Sequence, residues 1–445
     1  MNRILGLTLA LLVVTHVAAQ NPGPLAAGPM VGHATETQVR FWVQTRSAAD
    51  VAIRFWPQGK KAEAQTTATV RAVASRAFCV HLKAEDLPFG VHYEYEVLVD
   101  GKAVDVAWPL RFQTQPHWRF RSDPPDFTAA IGSCAFINDP PNDRPGRPYG
   151  GDPKIFTAMA KLSPDLMVWL GDNVYYREMD WTSESGMRRR YTFNRRTPQL
   201  QPLLGSTSHY AIWDDHDYGP NNSDWTYALK RASLRTFKLF WENPTYGAGD
   251  MKGVMTRFTW GDAEFFLLDG RWYRSPERAP KSSRKTILGR RQLDWLIDGL
   301  TGSNATFKII VSGSQVLNPL CFYEGWGDFP ADRQRLLDAL KERRIPGVLF
   351  LSGDRHHTEL IRLDDKGFYP LYDYTSSPLL SNTHAPGREA ENHARVPGTF
   401  VTDRRNFGLL EFSGPRGKRV LTLSCLDPDG AMIWERAIPA KSLRP

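Results

Sequence analysis

The stretch Leu166-Met-Val-Trp-Leu-Gly-Asp-Asn-Val-Tyr175 decides the fold of this chain. Five apolar residues run without interruption and are followed at once by a glycine and an aspartate. An uninterrupted apolar run of this length is typical of a strand that is buried on both faces, as in a parallel sheet. Similar runs that end in polar residues occur at residues 128–134, 210–215, 265–269, 307–315 and 347–354.

Segments with helical spacing of apolar residues alternate with these strands. They lie at residues 153–162, 225–241, 288–300 and 330–343. Alternation of strands and helices predicts an α/β fold. Three more strand-like runs follow at residues 407–412, 420–425 and 432–437, and they form either a second sheet or an extension of the first.

The region before residue 119 has a different pattern. Short alternating or β-branched runs lie at residues 38–45, 51–56, 77–82, 92–99 and 110–114. Short strands at this spacing predict an all-β sandwich. Prolines and charged residues at 115–125 indicate a linker. We therefore expect a β-sandwich domain at residues 20–118 and an α/β domain at residues 119–445.

The first residues are typical of an export signal. Arg3 precedes an apolar run at residues 4–14, and small residues follow up to Ala19. This arrangement predicts a signal peptide over residues 1–19 and a secreted or periplasmic protein. No later stretch reaches 18 uninterrupted apolar residues, so we expect no membrane span.

Composition excludes several classes of protein. The 445 residues are 41% hydrophobic, which supports a sizeable core. The net charge is +8, but the basic residues are scattered, so we expect no specific nucleic-acid partner. The densest basic cluster, at residues 188–196, is interpreted as a solvated helix face or as an attraction for anionic substrates. Four cysteines permit up to two disulfides in an exported protein.

Chemically active side chains collect at the ends of the predicted α/β strands. They are Cys134, Asp172, Asp215, Asp269, Gln315, Asp354 and His356. Ligands bind beyond the carboxyl ends of such strands, and converging carboxylates repel one another unless cations neutralise them. The pattern therefore predicts a site for two or more metal ions. The mostly oxygen ligand set suits ferric iron, calcium, manganese or a mixture.

Several motifs resemble a known family. Gly171-Asp-Asn-Val-Tyr175 resembles the GDxxY motif of purple-acid-phosphatase-like metallophosphoesterases. An ordered set of motifs over residues 128–380 is similar to the PhoD-type alkaline phosphatases: Gly132-Ser-Cys134, Trp213-Asp-Asp-His-Asp217, Leu268-Asp-Gly-Arg-Trp-Tyr-Arg274, Ser312-Gly-Ser-Gln315, Ser352-Gly-Asp-Arg-His356 and Ser376-Ser-Pro-Leu379. The resemblance implies a four-layer αββα metallophosphatase core that holds Fe3+ and Ca2+.

The resemblance also implies a ligand set. Fe3+ would be held by Cys134, Asp172, Tyr175 and His356. Asp172 would bridge to a second metal, which Asp215, Gln315 and Asp354 would also bind. Thiolate and phenolate donors suit ferric iron independently of the resemblance.

Two residues are candidates for direct contact with substrate. His216 is expected to contact the phosphate or protonate the leaving oxygen, and the alternative is a histidine merely held by its aspartate neighbours. Arg271 is expected to bind phosphate through its planar guanidinium, and the alternative is a salt bridge to a carboxylate.

The sequence thus predicts an exported, monomeric, metal-dependent phosphoric ester hydrolase of the alkaline phosphatase type. It would release phosphate from small-molecule monoesters by attack of a metal-bound hydroxide. Two alternatives stay open: a phosphodiesterase or phospholipase-D-like hydrolase, and a non-catalytic cell-surface binding protein on a degenerate phosphatase scaffold.

Overall fold

The computed structural model describes residues 23–282, 284–320 and 322–445. The predicted signal peptide at residues 1–19 lies outside these residues, and so does Cys321. None of the helices in these described ranges combines the length and the hydropathy that a membrane span requires.

The N-terminal region is built from strands. They are β1 (Leu25–Ala34), β2 (Val39–Thr45), β3 (Ala49–Pro57), β4 (Gln65–Thr66), β5 (Val70–Ala72), β6 (Cys79–Ala84), β7 (His92–Val99), β8 (Lys102–Val104) and β9 (Arg111–Gln113). Strand β1 was not predicted, because Gly28, Pro29 and Gly32 interrupt its pattern with residues that normally break strands.

Strands and helices alternate in the rest of the chain. The elements are β10 (Phe127–Gly132), α1 (Lys154–Leu162), β11 (Leu166–Leu170), α2 (Glu184–Arg195), α3 (Gln201–Ser206), β12 (Ser208–Ile212), α4 (Asp215–Tyr218), α5 (Lys230–Phe240), β13 (Thr256–Trp260), β14 (Ala263–Leu267), α6 (Arg290–Gly302), β15 (Phe307–Val311), α7 (Pro330–Glu342), β16 (Val348–Ser352), β17 (Glu359–Leu363), β18 (Leu371–Thr375), β19 (Phe407–Ser413), β20 (Val420–Leu426) and β21 (Met432–Pro439).

Over the described ranges, these strands form three sheets. Sheet I has the order β21-β20-β19-β10-β11-β12-β1-β2-β6, and sheet II has the order β13-β14-β15-β16-β18-β17. Sheet III contains β3, β4, β5, β7, β8 and β9. The three C-terminal strands therefore extend the first sheet, which was one of the two arrangements that the sequence left open.

Sheets I and II pack face to face. Phe412 of β19 contacts Phe265 of β14 and Phe307 of β15, with ring centroids 6.2 and 5.5 Å apart. On the outer face of sheet I, Trp169 contacts Phe156 of α1, and on the outer face of sheet II, Phe266 contacts Trp295 of α6. Two central sheets between layers of helices, after a β-rich region, confirm the predicted fold class.

Sheet I continues across the predicted domain boundary at residues 118 and 119. Strand β1 pairs in parallel with β12, with Val31 opposite Ser208, and carries β2 and β6 into the same sheet. Gln115, in the predicted linker, donates hydrogen bonds of 2.9 Å to the carbonyls of Ala34 and Thr259. The division into two domains stays a prediction. Hydrogen bonds across the predicted boundary join the two regions.

The basic cluster of α2 is not the solvated helix face that the sequence indicated. Arg190 is 1% exposed, and its Nε donates to Asp180 at 2.7 Å. Arg189 donates to Asp139 and to Asp180. The carboxylates that hold Arg189 and Arg190 come from neighbouring loops, which the spacing along one helix does not reveal. Arg195 of the same cluster is buried, and its Nη2 donates to the Phe240 carbonyl.

Candidate metal centre

The predicted ligands lie where the parallel strands of both central sheets end. Strands β10, β11 and β12 are parallel within sheet I, and β14, β15, β16 and β18 are parallel within sheet II. The segments after these strands supply the predicted ligands: Cys134, Asp172, Tyr175, Asp215, Gln315, Asp354 and His356. Face-to-face packing of the sheets brings the segments together.

Four of these residues adopt a left-handed backbone conformation. The φ angles are 59° at Cys134, 53° at Asp172, 68° at Asp354 and 53° at His356. Non-glycine residues rarely adopt this region, which costs about 1 kcal/mol or more each and clusters at functional sites. After β10, β11 and β16 the backbone is therefore strained where it turns a polar side chain toward the site.

The four residues predicted to hold iron form one buried group. The Cys134 Sγ lies 3.7 Å from Asp172 Oδ2 and accepts a hydrogen bond of 3.3 Å from Ser377 Oγ. The Tyr175 hydroxyl lies 3.3 Å from His356 Nε2. Burial, with added repulsion from Asp172 and Asp354, raises the pKa of the Cys134 thiol. A nearby cation would reverse that effect and favour the thiolate.

Hydrogen bonding fixes the tautomer of His356. Its Nδ1 lies 2.6 Å from the carbonyl oxygen of Asn382, which can only accept a proton. The proton therefore sits on Nδ1, and the lone pair of Nε2 points to the side of Tyr175. A backbone carbonyl that orients a histidine in this way is usual behind a metal ligand.

The carboxylates form two further groups that share one residue. Ligand atoms of Asp172, Asp215 and His216 lie within 4.8 Å of one another, and so do those of Asp214, Asp215 and Asp354. Asp215 is common to both groups, and bridging by Asp172 stays a prediction. The sequence analysis did not assign Asp214 as a ligand, although it directly precedes Asp215 at the end of β12.

Unsatisfied atoms in this group show that the residues fit cations. Within the described residues, Asp214 Oδ2, Asp215 Oδ1 and His216 Nδ1 are buried without a hydrogen-bond partner. Burial and the neighbouring aspartates raise the pKa of Asp172, and burial raises the pKa of Asp214 to about 6 despite Arg271. Crowded buried carboxylates with open lone pairs are stabilised either by taking up protons or by binding cations, and the open lone pairs suit a cation.

Gln315 is buried, and both ends of its amide are engaged. Its Nε2 donates to Glu359 and to Thr375 at 2.8 and 2.7 Å, while its Oε1 accepts from Asn318 at 2.7 Å. A carbonyl oxygen has a second lone pair, so metal binding by Gln315 stays a prediction.

Arg271 lies in a buried network of charges. Its Nε donates to Asp214 at 2.6 Å, and its two terminal nitrogens donate to Glu324. Arg274 donates to Glu324 as well. This arrangement favours the salt-bridge alternative for Arg271, whose direct phosphate contact stays a prediction. Glu324 lies in a loop without a regular pattern, so no motif or periodicity pointed to it.

A cavity of about 480 Å3 opens beside the group. Tyr175 and His216 line it, and their rings stack with centroids 4.3 Å apart. The rest of the wall comes mainly from residues 136–149, together with Arg177, Trp181 and Asn221. The predicted catalytic histidine therefore faces a space that a ligand can enter.

Comparison with known proteins agrees with this geometry. Residues 131–418 match the family model of the PhoD-like phosphatases. The chain belongs to the PhoD-like phosphatase family. The resemblance predicted from the motifs is thus confirmed. Residues 23–119 match a second family model, a domain of unknown function named DUF7800.

Individual relatives of this PhoD-like phosphatase are distant. Alkaline phosphatase D of Bacillus subtilis (strain 168) is 23% identical over 326 residues, which cover 61% of this chain and 54% of that protein, so the match spans about half of the relative. The structure of PhoD has a TM-score of 0.76 at 18% identity and covers 93% of this chain and 92% of that one. Purple acid phosphatase PPD1 from yellow lupin (Lupinus luteus) has a TM-score of 0.64 at 11% identity, covering 92% and 74%. At these identities the two structures show the fold alone.

Proposed function

We propose that this chain is an exported, metal-dependent phosphoric ester hydrolase that releases phosphate from monoesters. One observation carries the proposal: two ligand groups share Asp215, and Asp214 Oδ2 and Asp215 Oδ1 are buried without a hydrogen-bond partner among the described residues. Membership of the PhoD-like phosphatase family supports the same chemistry. Export and a monomeric state complete the proposal.

The proposed ions are Fe3+ and Ca2+. Cys134, Asp172, Tyr175 and His356 would hold the iron, since thiolate, phenolate and imidazole suit an oxidised metal. Asp172, Asp215, Gln315 and Asp354 would hold calcium, whose preferred ligands are oxygens, and Asp214 joins this set. When bound, such ions polarise phosphoryl oxygens and activate water for in-line attack.

The side chains of the protein position the substrate and donate a proton to its leaving oxygen. Stacking on Tyr175 fixes the imidazole plane of His216 at the cavity wall. From there the imidazole can donate a proton to the leaving oxygen. Burial lowers the pKa of His216, although Asp215 opposes this effect. A neutral ring also suits metal binding, so the two roles of His216 need a direct test.

Diester hydrolysis is the second candidate function. The cavity beside the metal group is large enough for a ligand well beyond a phosphoryl group. A diester with two organic substituents would use that space. A degenerate binding protein is less favoured, since each predicted metal position still carries a residue that can bind metal.

A substrate panel tests the proposal. Alkyl and aryl monoesters, the matching diesters and phospholipids would be offered to the full chain with Ca2+ and with chelator. We expect metal-dependent phosphate release that is fastest with monoesters. Faster turnover of diesters would favour the second candidate. No turnover of any ester by protein with full metal content would favour the binding protein.

A further inference from the structure

Arg177 is a buried cation that has no carboxylate partner among the residues that the structure describes. Its side chain lies two residues after Tyr175, and the residue is only 8% exposed. Its Nε is buried without a hydrogen-bond partner, and its guanidinium forms no ion pair with any carboxylate in the described ranges. Burying a charged group without a partner is costly, so such a group indicates a missing ligand.

Other buried arginines of this chain show the contrast. Arg190 is paired with Asp180 at 2.7 Å, Arg271 with Glu324 at 2.7 Å, and Arg419 with Asp262 at 2.9 Å. Arg195 is buried without a carboxylate in the described ranges as well, but its Nη2 donates to the Phe240 carbonyl at 3.1 Å. The Arg177 side chain has no hydrogen-bond acceptor of any kind among the described residues, and it lines the cavity.

Aromatic rings hold the guanidinium of Arg177 in place. Its central carbon lies 4.5 Å from the ring centre of Phe136, 5.8 Å from that of Tyr149 and 6.0 Å from that of Tyr175. Cation–π contacts of this kind fix the position of a cation without using its N–H donors. The donors of Arg177 thus stay available for a ligand.

The cavity wall around Arg177 is cationic. Arg144, Arg147 and Arg177 line it, whereas Asp143 is the acidic residue in the described lining. Arg144 is partly neutralised by Glu178 at 2.6 Å. Arg147 is exposed, so the positive charge of the cavity wall extends from the buried Arg177 to the protein surface.

We propose that Arg177 binds a second anionic group of the substrate while the metal centre holds the phosphoryl group. The substrate class is then phosphate esters whose leaving group carries its own negative charge. A guanidinium binds carboxylate or phosphate oxygens through two parallel hydrogen bonds, which gives both affinity and orientation. This inference rests on the proposed function and extends it to the leaving group.

Binding of two matched phosphonates tests the inference without turnover. Benzylphosphonate and 4-carboxybenzylphosphonate differ by one carboxylate, and titration calorimetry on the metal-loaded full chain measures both. We expect the carboxylate probe to bind about 10–100-fold tighter, the range of charge-assisted hydrogen bonds. Arg177→Gln should remove this preference, while Arg111→Gln, an exposed arginine of β9, should keep it.

Two results of the binding experiment would overturn the inference, besides a preference that survives in Arg177→Gln. One is equal affinity of the unaltered protein for both probes. The other is an equal loss of both affinities in Arg177→Gln, which would show that Arg177 binds the phosphoryl group itself. Thermal unfolding of Arg177→Gln checks that the variant is folded, and Arg177→Lys, which keeps the charge but loses the planar fork, should retain only part of the preference.

Hydrolysis provides an independent readout. We expect kcat/KM for 4-carboxyphenyl phosphate to exceed that for phenyl phosphate, and Arg177→Gln to make the two equal. If neither ester is hydrolysed, the proposed function fails, and the phosphonate affinities still decide the role of Arg177. A preference that survives in Arg177→Gln would place the second anion on other residues and overturn the inference.

Discussion

Arg271 and Glu324 face each other through two hydrogen bonds, of 2.9 Å from Nη1 to Oε1 and 2.7 Å from Nη2 to Oε2. Arg271 is completely buried and also holds Asp214, whose second oxygen lacks a partner in the described structure. The pair therefore positions one of the candidate metal-binding carboxylates. We therefore expect loss of this pair to lower the stability of the protein and its metal occupancy more than its affinity for substrate.

Breaking this pair should destabilise the protein. Glu324→Gln leaves Arg271 buried with one charged partner fewer, and we expect a loss of about 3–5 kcal/mol in the free energy of unfolding. Urea unfolding measures it. Asp365→Asn is the matched control, because the Asp365–Lys341 pair is exposed and should change stability by less than about 1 kcal/mol. A normal free energy of unfolding with a raised KM in Glu324→Gln would instead support a phosphate-binding role for Arg271.

Removal of metal should abolish turnover and lower thermal stability. The carboxylates of Asp172, Asp214 and Asp215 repel one another without cations, and burial adds to the cost. Ions at 100 times their Kd add about 2.7 kcal/mol of stability. We expect chelation to stop phosphate release and Ca2+ to restore much of it. Full activity of protein that elemental analysis shows to be metal-free would contradict the proposal.

A phenolate and a thiolate on ferric iron should colour the protein. Tyr175 and Cys134 lie in the same buried group as Asp172 and His356. We expect a visible absorption band, which Tyr175→Phe shifts or bleaches while its ring still packs against Phe136. Tyr176→Phe serves as the control, because Tyr176 is also fully buried and directly follows Tyr175 but is not a predicted ligand. Active protein with no iron and no visible band would leave a hydrolase with other ions.

The two roles of His216 differ in their dependence on the leaving group. If the imidazole protonates the leaving oxygen, His216→Ala should lower kcat on alkyl esters by about 10²–10⁴-fold and have a smaller effect on esters with good leaving groups. If it binds metal, both substrates should suffer equally and metal content should fall. Steady-state kinetics and elemental analysis on the same preparation separate the two outcomes.

A histidine outside the candidate site should control stability in acid. His209 Nδ1 accepts a hydrogen bond from Trp169 at 2.9 Å, so the ring is neutral and its Nε2 proton faces the Leu203 carbonyl. Burial lowers the pKa of His209 to about 3. The unfolded chain therefore binds one more proton than the folded chain between about pH 6.5 and pH 3, and stability falls as the pH falls through that window.

Substitution at His209 tests this linkage. His209→Gln keeps one acceptor and one donor but cannot be protonated. Below pH 6.5 the free energy of unfolding of the variant should therefore fall less steeply than that of the unaltered protein, with a difference in slope of about 1.4 kcal/mol per pH unit. Urea unfolding at pH 7.5, 6.0 and 5.0 measures the slope. The exposed His92 gives the control variant His92→Gln. Equal slopes for the unaltered protein and His209→Gln would contradict the assignment.

The sequence predicted the strand ends well because a local pattern encodes them. An apolar run followed by a polar residue marks β11 and Asp172, and again β16 and Asp354, without knowledge of the fold. Parallel strands in two stacked sheets then place these ends together. The α/β core followed from the same runs, because buried parallel strands leave few alternatives.

The remaining features depend on contacts between distant segments. Strand β1 contains Gly28 and Pro29, and it is a strand because β2 and β12 provide partners on either side. The predicted helix at residues 225–241 begins only at Lys230, because the preceding residues form turns. Arg177 gave no signal at all, since an arginine without a partner is recognised only once its neighbours are known.

The continuity of sheet I has a consequence for how this protein can be divided. Removing residues before 119 would strip β1 from β12 and turn an interior strand into an unprotected edge. Its free N–H and C=O groups would invite pairing between molecules and aggregation. The N-terminal region thus protects the β12 edge of the phosphatase core. We expect the protein to tolerate insertions in surface loops better than truncation at this junction.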